Sequence, residues 1–225
     1  MKRIFPFILV VLAVRAAVAQ GVAGEDILRR VEDTFRSVKD YTVTVDITVD
    51  LERLNVPPMQ VTMYFKQPDK VHFSSTGFAL LPKESIGFTT SRLLAKFNVE
   101  RVEERKDSAG LRYDLTLKPK ADKTGLRRLV LTVNPEHWIP ERLAAPQFDG
   151  RTMEALFRHE NVGEYWLPVA IDVSFTAPET EEQEPEIPGH ARSSVPRNGR
   201  ITIRFSDYHV NTGLDDSVFE ESDRE

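Results

Sequence analysis

The side chains best suited to move a proton or hold a metal near neutral pH are the five histidines, His72, His137, His159, His190 and His209. No two of them stand at HxH or HExxH spacing, so neither a metal site nor a metal cofactor is expected. His72 and His209 fall at outward positions of alternating stretches, while His159 shares the inward face of Met153, Ala155 and Phe157, where a buried histidine with a hydrogen-bond partner is expected. The chain has no cysteine, which excludes thiol nucleophiles, disulfides, zinc fingers and iron–sulfur ligation. It also lacks a GxSxG elbow, a P-loop and a GxGxxG turn. The adjacent carboxylates Glu103-Glu104 and Glu181-Glu182 cannot act as an acid/base pair from one strand, because neighbouring strand residues point to opposite faces. No catalytic residue, no cofactor and no enzymatic activity are expected.

What remains is apolar surface and the elements that carry it. The chain has 225 residues, 40% of them apolar, with 30 basic against 35 acidic side chains and a formal charge of −5. That balance offers no excess positive charge for a phosphate backbone, so nucleic acid is not an expected partner. The length supports a substantial core without metals or disulfides, and with no internal repeat a single domain over 20–225 is the simplest count.

Residues 1–19 combine basic Lys2 and Arg3, an apolar run from Ile4 to Val14 and the small-residue stretch Ala17-Val18-Ala19, the grammar of a signal peptide cleaved after Ala19. The run is too short to span a hydrocarbon layer about 30 Å thick, so the mature chain is expected to be soluble and not membrane-spanning. Cleavage would leave 206 residues, and losing Lys2, Arg3 and Arg15 moves the formal charge from −5 to −8.

Gly24 to Lys39 places Ile27, Leu28, Val31, Phe35 and Val38 at helical spacing, with Glu25 and Asp26 at the start and Lys39 at the end, so an amphipathic helix is expected over 25–39. From Tyr41 the period becomes 2, which predicts strands over 41–51, 59–66, 71–75, 99–106, 111–118, 126–133, 138–145, 151–160, 165–176 and 200–210. Between Gly77 and Phe97 the alternation lapses, and a loop with a short helix at 91–97 is expected. Residues 177–199, with five acidic residues and four prolines, read as a disordered insertion. About ten antiparallel strands in one meander must close, split or curl. Because 41–51 and 165–176 are long and unbroken, an incomplete, half-open antiparallel β-barrel with a helical lid is favoured over a sandwich.

Several stretches carry a family resemblance: Met63-Tyr64-Phe65-Lys66-Gln67-Pro68-Asp69-Lys70-Val71 at the second turn, Tyr113-Asp114-Leu115-Thr116-Leu117-Lys118-Pro119-Lys120, Gly163-Glu164-Tyr165-Trp166-Leu167-Pro168, and Phe205-Ser206-Asp207-Tyr208 followed by Asn211-Thr212-Gly213-Leu214 and Phe219. In this order they resemble the outer-membrane lipoprotein carriers of the periplasm, the LolA/LolB-like proteins, over about residues 24–220. The resemblance implies a mainly β protein whose hydrophobic cavity holds acyl chains of a lipoprotein or lipid. It also implies possible partners at an inner-membrane donor and an outer-membrane acceptor. The expected lining is Val45, Ile47, Met63, Phe65, Phe73, Leu115, Leu117, Leu129, Leu131, Phe157 and Ile171, and the expected lid residues are Phe78, Leu80, Leu81, Phe88, Leu93, Leu94 and Phe97. The resemblance places an arginine before the proline of the second turn, where it latches the lid; this chain has Gln67. No cysteine is present to carry a lipid anchor. An alternative of another class is a regulatory or sensory envelope domain that recognises lipoproteins or a protein partner, to which the acidic insertion would be suited.

Overall fold

The computed structural model describes residues 23–51, 54–74, 96–108, 110–120, 128–146, 152–176 and 198–220. The expected signal peptide, the lid residues Phe78, Leu80, Leu81, Phe88, Leu93 and Leu94, His190, Glu181-Glu182 and the insertion up to residue 197 lie outside the described residues.

Helix α1 (Gly24–Phe35) is followed by β1 (Asp40–Leu51), β2 (Leu54–Asn55), β3 (Met59–Lys66), β4 (Lys70–Phe73), β5 (Phe97–Asp107), β6 (Gly110–Pro119), β7 (Leu129–Asn134), β8 (Ile139–Pro146), β9 (Thr152–Val162), β10 (Tyr165–Thr176), β11 (Gly199–Val210) and the single turn α2 (Ser217–Glu220). The antiparallel order is β4-β3-β1-β11-β10-β9-β8-β7-β6-β5, with β2 paired to β1 alone. Successive strands neighbour one another, as period-2 stretches joined by short turns require. The exceptions are β4 and β5, consecutive in the chain but at opposite edges of the sheet, and β1, which joins the two halves by pairing with both β3 and β11. The sheet is an open barrel, with β4 and β5 as its edges among the described residues.

Ten strands laid flat would span roughly 40 Å at about 4.8 Å per strand. Yet one hydrophobic cluster contains Phe73 of β4, Phe97 of β5 and Ile27, Leu28 and Val31 of α1. Only a sheet curled around the helix brings both edges into one core. Helix α1 accordingly touches β5, β8 and β10 from the inside. On the outer face, polar side chains bond across the strands: Arg204 and Thr202 meet Asp172 at 3.3 and 3.0 Å, Arg142 meets Glu154 at 2.5 Å, and Thr132 donates to Asp114 at 2.6 Å. This alternation of dry inner and bonded outer positions fixes the register, since a one-residue slip would exchange the faces.

Three expectations are corrected. The helix ends at Phe35, so Val38 and Lys39 lie beyond it; Val38 is buried, and the chain turns at Arg36-Ser37 into β1. Phe97 opens strand β5 opposite Pro119 and is no part of a helix, because its ring is buried on the inner face. Gly199, placed in the insertion by its composition, opens β11 opposite Leu51 and Phe175. An ideal Cβ on Gly199 would come within 2.3 Å of Leu51 Cδ2 and 2.9 Å of the Asp50 carbonyl, so this close strand approach needs glycine.

Candidate functional site: the inner face and its two ends

The inner face is built from cross-strand rows. One runs Met59–Ile47–Ile203–Ile171–Phe157 from β3 to β9. The next runs Val49–Ile201–Val173–Ala155–Leu143–Leu131–Leu115–Val102 across eight strands. A third begins Leu51–Gly199–Phe175–Met153–Ala145 and continues on β7, β6 and β5 with Leu129, Leu117 and Val99.

Burial varies along these rows. Leu115, Leu117 and Leu131 are at most 1% exposed, and Val45, Ile47, Met63, Phe73, Leu129 and Ile171 are also buried. Phe65 and Phe157 are partly buried; Phe65 stacks on Tyr41 at 4.9 Å between ring centroids. The expected lining residues therefore share one face, and most are packed into the core beneath α1. Among the apolar side chains that this face leaves partly exposed, Val49, Leu51, Ile201, Val173, Phe175 and Met153 are neighbours in the last two rows. They form a strip at the rim of β1, β11, β10 and β9. Only Val173 and Ile171 differ by one step along β10, yet their exposure differs; the period-2 signal gives the face and not the depth.

The two ends of the barrel are unlike. At one end, two- to four-residue turns join β3–β4, β5–β6, β7–β8 and β9–β10. At the other lie the connections of seven residues or more: β1–β3, apart from β2, as well as β4–β5, β6–β7 and β10–β11. The rim strip faces this second end.

The first end is knitted shut around the α1–β1 junction. Gln67 Nε2 donates to the carbonyls of Phe35 at 2.9 Å and Val38 at 2.7 Å, with Arg36 O at 3.3 Å. Asn211, at φ 57°, accepts from Lys39 N at 2.6 Å and donates to Ser37 O at 3.0 Å and Tyr165 Oη at 2.9 Å. Buried Asp40 accepts from the amides of Thr212 at 2.8 Å and Gly213 at 3.1 Å. Helix α1 is further pinned by Thr34 Oγ1, which donates to His137 O at 3.3 Å, and by Arg30, whose guanidinium lies 4.7 Å over the Trp138 ring.

Three solved structures share this architecture. A DUF1329 family protein from Desulfovibrio piger superposes with a TM-score of 0.62 at 14% identity, covering 89% of this chain and 97% of its own. An outer membrane lipoprotein-sorting protein domain from Vibrio parahaemolyticus gives 0.56 at 12% identity over 88% and 96%. The LolA superfamily protein NE2245 from Nitrosomonas europaea gives 0.55 at 13% over 88% and 98%. The chain has the LolA-type fold. No family model matches the sequence, and no curated protein matches it.

Within this LolA-type fold, three of the stretches that carried the resemblance meet at the closed end: Gln67 from the second turn and Asn211-Thr212-Gly213 after β11 bond to residues 35–40, and Tyr165 ahead of Trp166 accepts from Asn211. Their spacing in sequence reflects one junction. Gln67 takes the place where the resemblance expects arginine, and its neutral amide serves as the C-terminal cap of α1.

The histidines are dispersed. His72 faces Tyr64 on the outer side at 5.8 Å, His209 is exposed, and His137 stacks on Trp166 at 3.9 Å. His159 is on the inner face beside Phe35, 6.1 Å away, but the expected hydrogen-bond partner is missing: Nδ1 is buried without one among the described residues. Its strand neighbour on β10 is Pro168, which has no N–H. Burial pushes its pKa down to about 4, so the ring is neutral at pH 7. Burial also raises the phenols of Tyr41 and Tyr208, and Tyr208 Oη donates to Pro168 O at 2.6 Å. Among the described residues no three metal-ligating side chains come together, and no helix is long and apolar enough to cross a membrane.

Proposed function

We propose that the protein is a soluble periplasmic carrier that binds the acyl chains of lipoproteins or lipids on the inner face of its open barrel and moves them toward the outer membrane. The observation that carries this reading is the partly exposed apolar strip Val49, Leu51, Ile201, Val173, Phe175 and Met153 on the inner face of an unclosed sheet. The sorting-protein domain and the LolA superfamily structure share that fold, which supports the same reading. Residues 20–225 then form one lipid-binding domain, exported by residues 1–19.

In this reading the chain of the ligand lies along the rim strip and reaches inward over Phe157 and Ile171. Val45, Ile47, Met63, Phe65, Phe73, Leu115, Leu117, Leu129 and Leu131 form the floor. Burial of about 14 methylenes at ~0.8 kcal/mol each yields roughly 11 kcal/mol before ordering and dehydration costs. Apolar contact alone is enough for retention, and the function needs no acid, base or metal.

The test is to purify the protein from the native envelope and identify bound molecules by mass spectrometry, with titration of cis-parinaric acid as a second readout. Co-purified acylated lipid or lipoprotein, and saturable probe binding, are expected. An empty protein that also fails to bind the probe would overturn the reading.

A further inference from the structure

Beside the apolar strip, the rim carries a charge pair that the outer-face pattern leaves unused. Asp50 of β1 and Arg200 of β11 face each other in register, and Ser174 of β10 faces Arg200 from the other side. Directly opposed strand positions hold side chains about 5 Å apart, within easy reach of an ion pair. Other outer-face pairs bond even across diagonal positions of the register: Asp172 with Arg204, Glu154 with Arg142, Asp114 with Arg105. The side chains of Asp50 and Arg200 bond neither to each other nor to any other described residue, and both are exposed.

These two residues line a hollow of about 490 Å³ together with Ser174, Phe175, Thr176, Asn198 and Gly199. Phe175 and Gly199 belong to the inner-face row that begins at Leu51, whereas Asp50, Ser174 and Arg200 belong to the outer face. The hollow therefore lies at the strand ends, where Phe175, the member of the apolar strip that lines it, stands beside a guanidinium and a carboxylate.

We propose that this rim hollow is a head-group site for a zwitterionic phospholipid, with the phosphate on Arg200 and the ammonium on Asp50 while the acyl chain lies on the strip. This rests on the carrier reading and specifies its ligand. A guanidinium forks onto phosphate oxygens, and a carboxylate accepts from ammonium; opposite charges held side by side without bonding to each other present both contacts at once. A neutral lipid would gain neither contact, and a purely anionic head group would meet the repulsion of Asp50. The hydroxyl of Ser174 and the carboxamide of Asn198 add polar edges to the same hollow.

The experiment compares three lipids with the same single acyl chain, each below its micelle concentration, by calorimetry on the full-length mature protein. Lysophosphatidylethanolamine has phosphate and ammonium, lysophosphatidylglycerol has phosphate alone, and monoacylglycerol has neither. The expected order of affinity follows that sequence, with roughly a tenfold step between lipids. Arg200→Gln should bring lysophosphatidylglycerol down to the affinity of monoacylglycerol and lower lysophosphatidylethanolamine about tenfold, and Asp50→Asn should bring lysophosphatidylethanolamine to the affinity of lysophosphatidylglycerol. Both residues are exposed and bond to no other described residue, so melting temperatures should stay unchanged, and monoacylglycerol binding reports an intact strip. Equal affinity of the wild type for all three lipids overturns the head-group site and leaves the carrier reading standing. So does an order that persists in both variants, or glycerophosphoethanolamine without a chain binding as tightly as the lysolipid. Binding of none of the three overturns the carrier reading itself.

Discussion

The carboxamide nitrogen of Gln67 lies 2.9 Å from the carbonyl oxygen of Phe35, the last residue of α1. The final carbonyls of a helix have no partner within it, and here the turn between β3 and β4 supplies one. The same nitrogen reaches Val38 O at 2.7 Å, and the Gln67 amide donates to Lys39 O at 2.8 Å. One residue thus ends the helix, turns the chain into β1 and ties both to the sheet. Gln67→Ala removes the side-chain donor from half-buried carbonyls and should cost about 1–3 kcal/mol. Amide hydrogen exchange across 27–35 should accelerate in this variant while β6 and β7 keep their protection. Because the carboxamide is neutral, raising salt from 0.05 to about 1 M should leave exchange of α1 nearly unchanged, unlike an ion-paired contact.

His159 makes stability depend on pH. Its folded pKa is about 4 against 6.5 in the unfolded chain. Between these values the unfolded state binds more protons, so stability rises with pH through the window and is lost as pH falls from about 6.5 toward 4. The shift corresponds to about 3 kcal/mol at most, fully present above the unfolded value. His159→Phe removes this contribution and the unpartnered Nδ1 together. Urea midpoints at pH 7 and pH 5 should differ less for the variant than for the wild type; an equal difference would exclude His159 as the source.

The strands were legible because each long run alternates until a Pro or Gly turn, as in Val43, Val45 and Ile47 against Thr44 and Asp46. The open-barrel class followed from strand number and from the uninterrupted length of β1 and β10. The end of α1 was not legible: Val38 continues the helical spacing, and only Gln67, 29 residues later, shows why the helix stops. The rim strip was equally hidden. Val173 and Leu115 carry the same alternation signal, and the curl of the sheet around α1 decides which is covered. Composition placed Gly199 in the insertion, whereas the approach of Leu51 makes it a strand residue.

Trp138 has φ 52°, a left-handed conformation in which a bulky residue is strained and glycine is favoured. Its ring stacks on Tyr113 at 6.2 Å and receives Arg30 of α1 at 4.7 Å. The ring contacts offset a backbone cost of about 1–2 kcal/mol. Trp138→Gly should relieve the backbone and lose the stack, lowering stability by about 1–3 kcal/mol net. Trp138→Ala keeps part of the strain and loses the same ring, so it should be the less stable of the two in chemical denaturation. Equal or reversed stabilities would show that the backbone is unstrained.

Leu115 and Val173 occupy the same inner-face row but differ in cover, and this separates folding from binding. Leu115 is fully buried, so Leu115→Ala leaves a cavity and should cost about 2–5 kcal/mol. Val173 is partly exposed, and Val173→Asp puts a carboxylate where the acyl chain is proposed to lie. It can keep part of its hydration there, so its stability loss should be smaller than that of Leu115→Ala. Its effect on binding should be larger: burying an unpaired charge against an acyl chain is costly enough to reduce cis-parinaric acid affinity at least tenfold. Leu115→Ala, assayed well below its melting temperature, should retain the probe. The opposite ranking, with Val173→Asp binding normally and Leu115→Ala not, would move the ligand from the rim strip into the packed floor beneath α1.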